Sequence, residues 1–214
     1  MLTLFETIRR IVREELGQVR TAELAVVQEI HPHARGSDAD NYACTVRLRD
    51  SGLVLRCVPV ATSRIGAVSI PAVGELALVQ FLGGDVNAPV LTGLFYNDQD
   101  RPPINHADQA VWHLPLDAAA ADAVHVELHS GPRRQVVLTL GDGLSAVLRD
   151  DDPVVELNVA GGKATVSIDR DGAVTIASRS GITLQGGDVQ VRGDAVTVEA
   201  TGELKLKGTI VNIN

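Results

Sequence analysis

ATVSIDRDGAVTIASRSGITLQGGDVQVRGDAVTVEATGELKLKGTIVNIN, residues 164–214, returns one small unit again and again. In each unit two apolar residues flank one polar residue. The pairs are Val166/Ile168, Val174/Ile176, Ile182/Leu184, Val189/Val191, Val196/Val198, Leu204/Leu206 and Val211/Ile213. Their first members lie 8, 8, 7, 7, 8 and 7 residues apart. Within a pair the period is two, so both side chains leave the same face of a strand. Gly172, Gly181, Gly186, Gly187, Gly193, Gly202 and Gly208 fall in the gaps, where a turn is needed. Very short strands with one buried face, turned at this interval, describe strands stacked along an axis.

A single chain does not easily support such a stack. A triangular solenoid uses about three strands per coil, so this run makes little more than two coils, and repeat arrays need at least three units plus caps. Three chains wound together remove the difficulty, because each then supplies one strand per layer. The pattern therefore predicts a homotrimer with a shared core of Val166, Ile168, Val174, Ile176, Ile182, Leu184, Val189, Val191, Val196, Val198, Leu204 and Leu206. At about 4.8 Å per layer the rod would be roughly 34 Å long. An ordinary β-sandwich meander is the competing reading. Its strands are usually longer and its turns less regular, at roughly 8–12 residues.

Working outward, the whole chain has 214 residues, 3% aromatic content and a formal net charge of −8. A thin prism has little room for rings, which fits the scarcity of aromatics. Three copies would carry about −24, which favours solubility over adhesion to anionic surfaces. That sign also argues against a nucleic-acid partner, since backbone binding needs Lys and Arg to neutralise phosphates. No apolar run approaches the roughly 20 residues of a membrane span, and the N-terminus lacks a signal-peptide pattern. Cys44 and Cys57 read as reduced thiols rather than a disulfide scaffold, although a hairpin near Ser51-Gly52 would let them face each other.

Residues 2–16 place Phe5, Ile8, Ile11/Val12 and Leu16 on one helical face, with Glu6 and Arg10 spaced as an i,i+4 ion pair and Gly17 as a stop. Strands follow at 21–30, 42–50, 53–61, 73–82 and 88–96, with a polar break at 31–41 and a tight turn at Gly83-Gly84-Asp85. Five strands in about eighty residues suit a small closed barrel of the oligonucleotide/oligosaccharide-binding (OB) type. Pro102-Pro103 closes it, and 104–123 reads as an Ala- and Asp-rich linker or collar. From Val124 strands resume as a wider upper shaft. The expected fold is all-β after a short helix: residues 1–18 an amphipathic helix, 19–103 an OB-type barrel, 104–160 a collar and upper shaft, and 161–214 a trimeric β-helix or triangular β-prism.

The string GAVSIPAVGELALVQFLGGDVNAPVLTGLFYNDQDRPP, residues 66–103, resembles the barrel of contractile-tail spike proteins. These are the phage baseplate assembly protein V family and the related valine–glycine repeat spikes of type VI secretion. The resemblance covers the barrel by sequence and the terminal coil by architecture; 104–160 match loosely. It implies a structural, non-enzymatic central spike of a contractile injection machine. Its barrel would sit on a separate hub protein, and its coil would be driven through the target membrane. Such a spike is assembled in the cytoplasm and acts outside the cell. Some relatives end in a His-x-His apex that binds iron. Here the last histidine is His129 and the chain ends GTIVNIN, so that site does not carry over. Thr209, Ile210, Val211, Asn212, Ile213 and Asn214 would instead receive a separate conical tip of the PAAR-repeat kind.

Other candidate chemistry is sparse, and no catalytic, cofactor or metal residues are assigned. His31-Pro32-His33 offers two ligands and lacks a third. His125, Glu127 and His129 would share one strand face, which makes a metal on a trimer axis conceivable but fits an exposed polar face better. Asp150-Asp151-Asp152 lacks the spacing of a calcium loop. Two rival functions remain: a trimeric polysaccharide-binding or -cleaving tail fibre, which usually needs aromatic platforms, and a single-strand nucleic-acid barrel. The latter needs stacking rings, whereas Phe81, Phe95 and Tyr96 lie on strands that look core-facing.

Overall fold

The computed structural model describes residues 4–141 and 143–212. The side chain of Leu16, together with Ile213 and Asn214, lies outside the described residues. The chain is mostly β, with one N-terminal helix, α1 (Leu4–Gln18). Arg10 pairs with Glu14 at 3.8 Å, and the Arg9 guanidinium stacks 4.7 Å above the Phe5 ring. Gly17 does not stop the helix, which runs one residue further. Phe5, Ile8, Ile11 and Val12 are each about half exposed or more, so the apolar stripe is not packed on the barrel.

Five strands build the first sheet: β1 (Glu23–His31), β2 (Ala43–Leu48), β3 (Val54–Pro59), β4 (Leu76–Phe81) and β5 (Pro89–Phe95). Their order is β3-β2-β1-β4-β5, with every neighbouring pair antiparallel. Alternate residues point inward: Ala25 and Val27, Cys44, Val46 and Leu48, then Ala77, Val79 and Phe81, joined by Val58 and Leu91. Burying a Val or Leu side chain completely is worth about 1.5–3 kcal/mol, so this set stabilises the curled sheet. The expected closed barrel is only partly realised. The edge strands β3 and β5 meet at one parallel bridge, Val60 to Leu91, with Ala61 N donating to Leu91 O at 2.8 Å, and no full ladder joins them.

Gly83-Gly84 forms a short 3-10 turn rather than a simple hairpin turn. Gly84 has φ +80°, and a Cβ there would sit 2.6 Å from Val19 Cγ1. Arg20 N also donates to Gly84 O at 3.0 Å, so this glycine is where the segment leaving α1 is fastened to the barrel.

The second sheet is a seven-stranded antiparallel meander. Its strands are β6 (Gln109–Leu114), β7 (Val124–His129), β8 (Gln135–Leu140), β9 (Leu144–Arg149), β10 (Val155–Val159), β11 (Ala164–Ile168) and β12 (Val174–Ser178). β6 corrects the reading of 104–123 as a linker. Its sequence QAVWHL does not alternate cleanly, because Val111 sits on the otherwise polar face. The ladder runs without a break across 160/161, where the sequence pattern places a domain boundary, and stops after Ser178. The pairs Val166/Ile168 and Val174/Ile176 thus find ladder partners in their own chain, although the repeat treats all its pairs alike.

Candidate functional site

The register of the meander lines up its apolar residues into continuous rows. One row runs Trp112, Val126, Leu138, Ala146, Leu157, Val166, Ile176 from β6 to β12. A second runs Ala110, Leu128, Val136, Leu148, Val155, Ile168, Val174 beside it. Leu114, Val124, Leu140 and Leu144 begin a third. No second layer covers this face among the described residues. Among the described residues outside the five-stranded sheet, the buried hydrophobic core contains only Ala123. An apolar face of this extent on a lone protein chain marks an interaction surface.

Beyond Ser178 the chain changes character. Residues 182–212 form no strand and make no backbone–backbone hydrogen bond within the chain, among the described residues. Yet the spacing of the repeat persists in their geometry. A Cβ on Gly186, Gly193 or Gly208 would come 3.4, 3.3 or 3.1 Å from the carbonyl oxygen two residues on, so one bend recurs. The paired side chains Ile182/Leu184, Val189/Val191, Val196/Val198 and Leu204/Leu206 are all more than half exposed, with Leu184 at 74% and Val191 at 70%. Thr209, Ile210, Val211 and Asn212 are exposed as well. Backbone groups left without partners and apolar pairs left in water are both costly.

The opposite face of the meander is polar. His125, Glu127 and His129 do share it, and they are hydrogen-bonded to one another. Glu127 Oε1 lies 2.7 Å from His125 Nε2 and its Oε2 lies 2.6 Å from His129 Nε2. These contacts with His125 and His129 hold the Glu127 carboxyl below its ordinary value. Gln109 and His113 of β6 extend the network, and neither is recognisable from the sequence, because the strand that carries them is not. This face is the reverse of the apolar rows, so these groups and the rows lie on opposite sides of the sheet. Further along, Asn158 and Arg149 bind Glu156, and both lower its pKa.

The remaining sequence candidates have structural partners. His31 Nε2 lies 2.9 Å from Thr45 Oγ1, while His33 Nδ1 lies 2.7 Å from Asp38 Oδ1, so the two rings serve different neighbours. Asp150 binds Arg134, and Asp152 accepts from the Arg170 backbone N–H, which makes the triple-Asp segment a pinned turn. Cys44 is buried and Cys57 exposed; both are free thiols. Cys44 sits opposite Val58, so the hairpin does not bring the two sulfurs together. Among the described residues no group of three or more His, Cys, Asp or Glu converges on a metal site, and no helix is long and apolar enough to cross a membrane. Phe81 is core-facing as expected. Phe95 and Tyr96 are not: about half exposed, they line a cavity of about 180 Å³ with Trp112, Glu75 and Asp100 where barrel and meander meet.

A curled five-stranded sheet in OB-like order, followed by a one-layer meander and a long run with no in-chain ladder among the described residues, defines an OB-domain protein. Residues 43–96, which hold β2 to β5, match the family model of the type VI secretion system/phage-baseplate injector OB domain. Over this domain the chain is similar to the phage baseplate assembly protein V family. The match spans about a quarter of the chain and leaves the shaft outside it. The matched family is one of structural baseplate proteins.

Proposed function

We propose that the chain is the central spike of a contractile injection machine, a phage tail baseplate or a related particle, and that it works as a homotrimer. The observation that carries this reading is the contrast between apolar rows with nothing over them and a terminal run that keeps its repeat without a single internal ladder. Three copies remove both deficits. Their meanders would turn the apolar rows toward a common axis as the walls of a triangular prism. Past Ser178 each strand would pair with neighbouring chains as a β-helix.

In this reading the four parts are the helix 1–18, the barrel 19–103, the collar and upper shaft 104–160 and the spike 161–214. The barrel docks on a separate hub protein, and Thr209 to Asn214 receive a PAAR-type tip. The spike is assembled in the cytoplasm, pierces the target envelope mechanically from outside, and uses no catalytic residue, cofactor or nucleic acid. A rod without exposed sheet edges, slow to unfold, is suited to that work.

Light scattering of the purified chain, repeated by electrophoresis in SDS without boiling, tests the assembly. A species near three times 22.6 kDa that resists SDS is expected; a 22.6 kDa monomer sinks the reading. Deleting 209–214 should abolish tip binding and leave the trimer intact, and tip binding that survives refutes the capping role. One observation favours the alternative of a polysaccharide-cleaving fibre, namely the Phe95, Tyr96 and Trp112 rings beside Glu75 and Asp100. Release of reducing sugar from envelope polysaccharide would decide for it.

A further inference from the structure

On the polar face of β6 and β7, hydrogen-bond partners fix which histidine nitrogens carry a hydrogen. His113 Nε2 lies 3.0 Å from the Ala118 carbonyl oxygen, which only accepts, so this nitrogen is the N–H. His125 Nε2 lies 2.7 Å from the Glu127 carboxylate and is an N–H for the same reason. A neutral imidazole has one N–H, so both Nδ1 atoms present lone pairs, and these face each other at 3.2 Å. Two apposed lone pairs repel and call for a positive centre between them. His129 leaves no such remainder: its Nε2 donates to Glu127 Oε2, and its Nδ1 accepts from Gln109 Nε2 at 2.9 Å.

We propose that His113 Nδ1 and His125 Nδ1 are the two protein ligands of a site for one borderline divalent transition-metal ion of the Zn²⁺ kind, with water completing the coordination. Imidazole is the donor such ions favour. Bonds of about 2.0–2.1 Å at a tetrahedral angle span roughly 3.3–3.4 Å between nitrogens, close to the 3.2 Å present. The ring centroids, 5.4 Å apart, set the lone pairs nearly head-on. A metal therefore seats with a tilt of roughly 20° at each ring, within the broad χ2 range of histidine. The two residues are direct cross-strand partners, so the backbone sets their spacing. Each remote nitrogen already donates to an oxygen, which is how metal-bound imidazoles are oriented by their surroundings.

His113 and His125 open on a cavity of about 500 Å³ also lined by Arg101, His106 and Gln109, which gives water access to the ion. With only two protein ligands the affinity stays well below that of a four-ligand structural zinc site. The site lies on the polar face and does not depend on the trimer.

Isothermal titration of Zn²⁺ into the full-length protein, in a non-chelating buffer, tests the assignment. One ion per chain is expected for the wild type, lost in H113Q and in H125Q, weakened about 10-fold in E127Q, and retained in H129Q. No binding by the wild type overturns the proposal. So does binding undiminished in H113Q and H125Q, which would move the ion to Cys57 or the His31–His33 loop. Long-range proton–nitrogen spectra of the ¹⁵N-histidine-labelled wild type guard against misfolded variants. Two Nδ1 resonances that shift together with Zn²⁺ support the site. A proton shared between them that Zn²⁺ does not displace refutes it.

Discussion

The barrel and the shaft use the same local device, an apolar/polar alternation of period two, and reach opposite results. In the barrel five strands curl until alternate side chains meet inside, and Ala25, Val27, Cys44, Val46, Leu48, Val58, Ala77 and Val79 are buried by their own chain. In the meander seven strands stay in one layer, and the same alternation leaves its apolar rows uncovered. Curling needs strands that differ in direction and loops that carry the sheet round. The β1–β2 and β3–β4 connections are long, and register shifts interrupt β1/β2, β2/β3 and β4/β5. The β6–β12 ladders run without a shift, and the sheet stays open. Bulges add local bend and twist. A regular ladder makes a single open layer.

The sharpest way to break this contrast is a charge in the repeat. Val191→Asp lies at a side chain 70% exposed in the single chain, where a surface change costs within about 0.5 kcal/mol. In a trimer it would bring three carboxylates to the axis, at several kcal/mol each. The trimer should fail to form by light scattering, and an unchanged mass would refute the shared core. The reciprocal change is Leu48→Ala in the barrel. It should cost about 2–5 kcal/mol in denaturant unfolding and leave the oligomeric mass alone.

A smaller effect is expected at the fastening of α1. Gly84→Ala meets both the positive φ and the Val19 contact, and should cost on the order of 1–3 kcal/mol. Limited proteolysis should then release α1 faster, while the shaft stays protected. Smallest is the acid response of the meander's polar face. Glu127 and Glu156 are held below their ordinary value of 4.5, by the two histidines and by Asn158 with Arg149. Their contribution is fully present above that value and is lost as pH falls through the lower folded values. E156Q should therefore lower the melt slightly at pH 7 and flatten the loss of thermal stability below about pH 4.5, as followed by circular dichroism, so that variant and wild type converge in acid.

Much of the barrel and of the polar face is legible in the sequence. The barrel strands are readable because alternation, turn residues and the FLGGD turn agree in one window. The face shared by His125, Glu127 and His129 follows from their i,i+2 spacing alone. What escapes is non-local. β6 is a strand because it lies against β7, not because QAVWHL announces one, and with it goes His113, the partner of His125. Phe95 and Tyr96 sit at the end of a strand whose last residues leave the core for the junction with the meander, which alternation within the strand does not reveal.

The amino-acid sequence by itself determined the periods: which residues alternate, where glycine allows the chain to bend, and the 7- or 8-residue beat of the last fifty. Those are properties of neighbours along the chain, where side-chain direction follows from backbone geometry alone. Only the tertiary structure decided where the in-chain ladder ends, at Ser178, and which side chains stand across from which, because a strand's partner is chosen by register over distance. Pairs of the same pattern, Val174/Ile176 and Ile182/Leu184, fall on either side of that end. One finds its hydrogen bonds within its own chain, and the other does not.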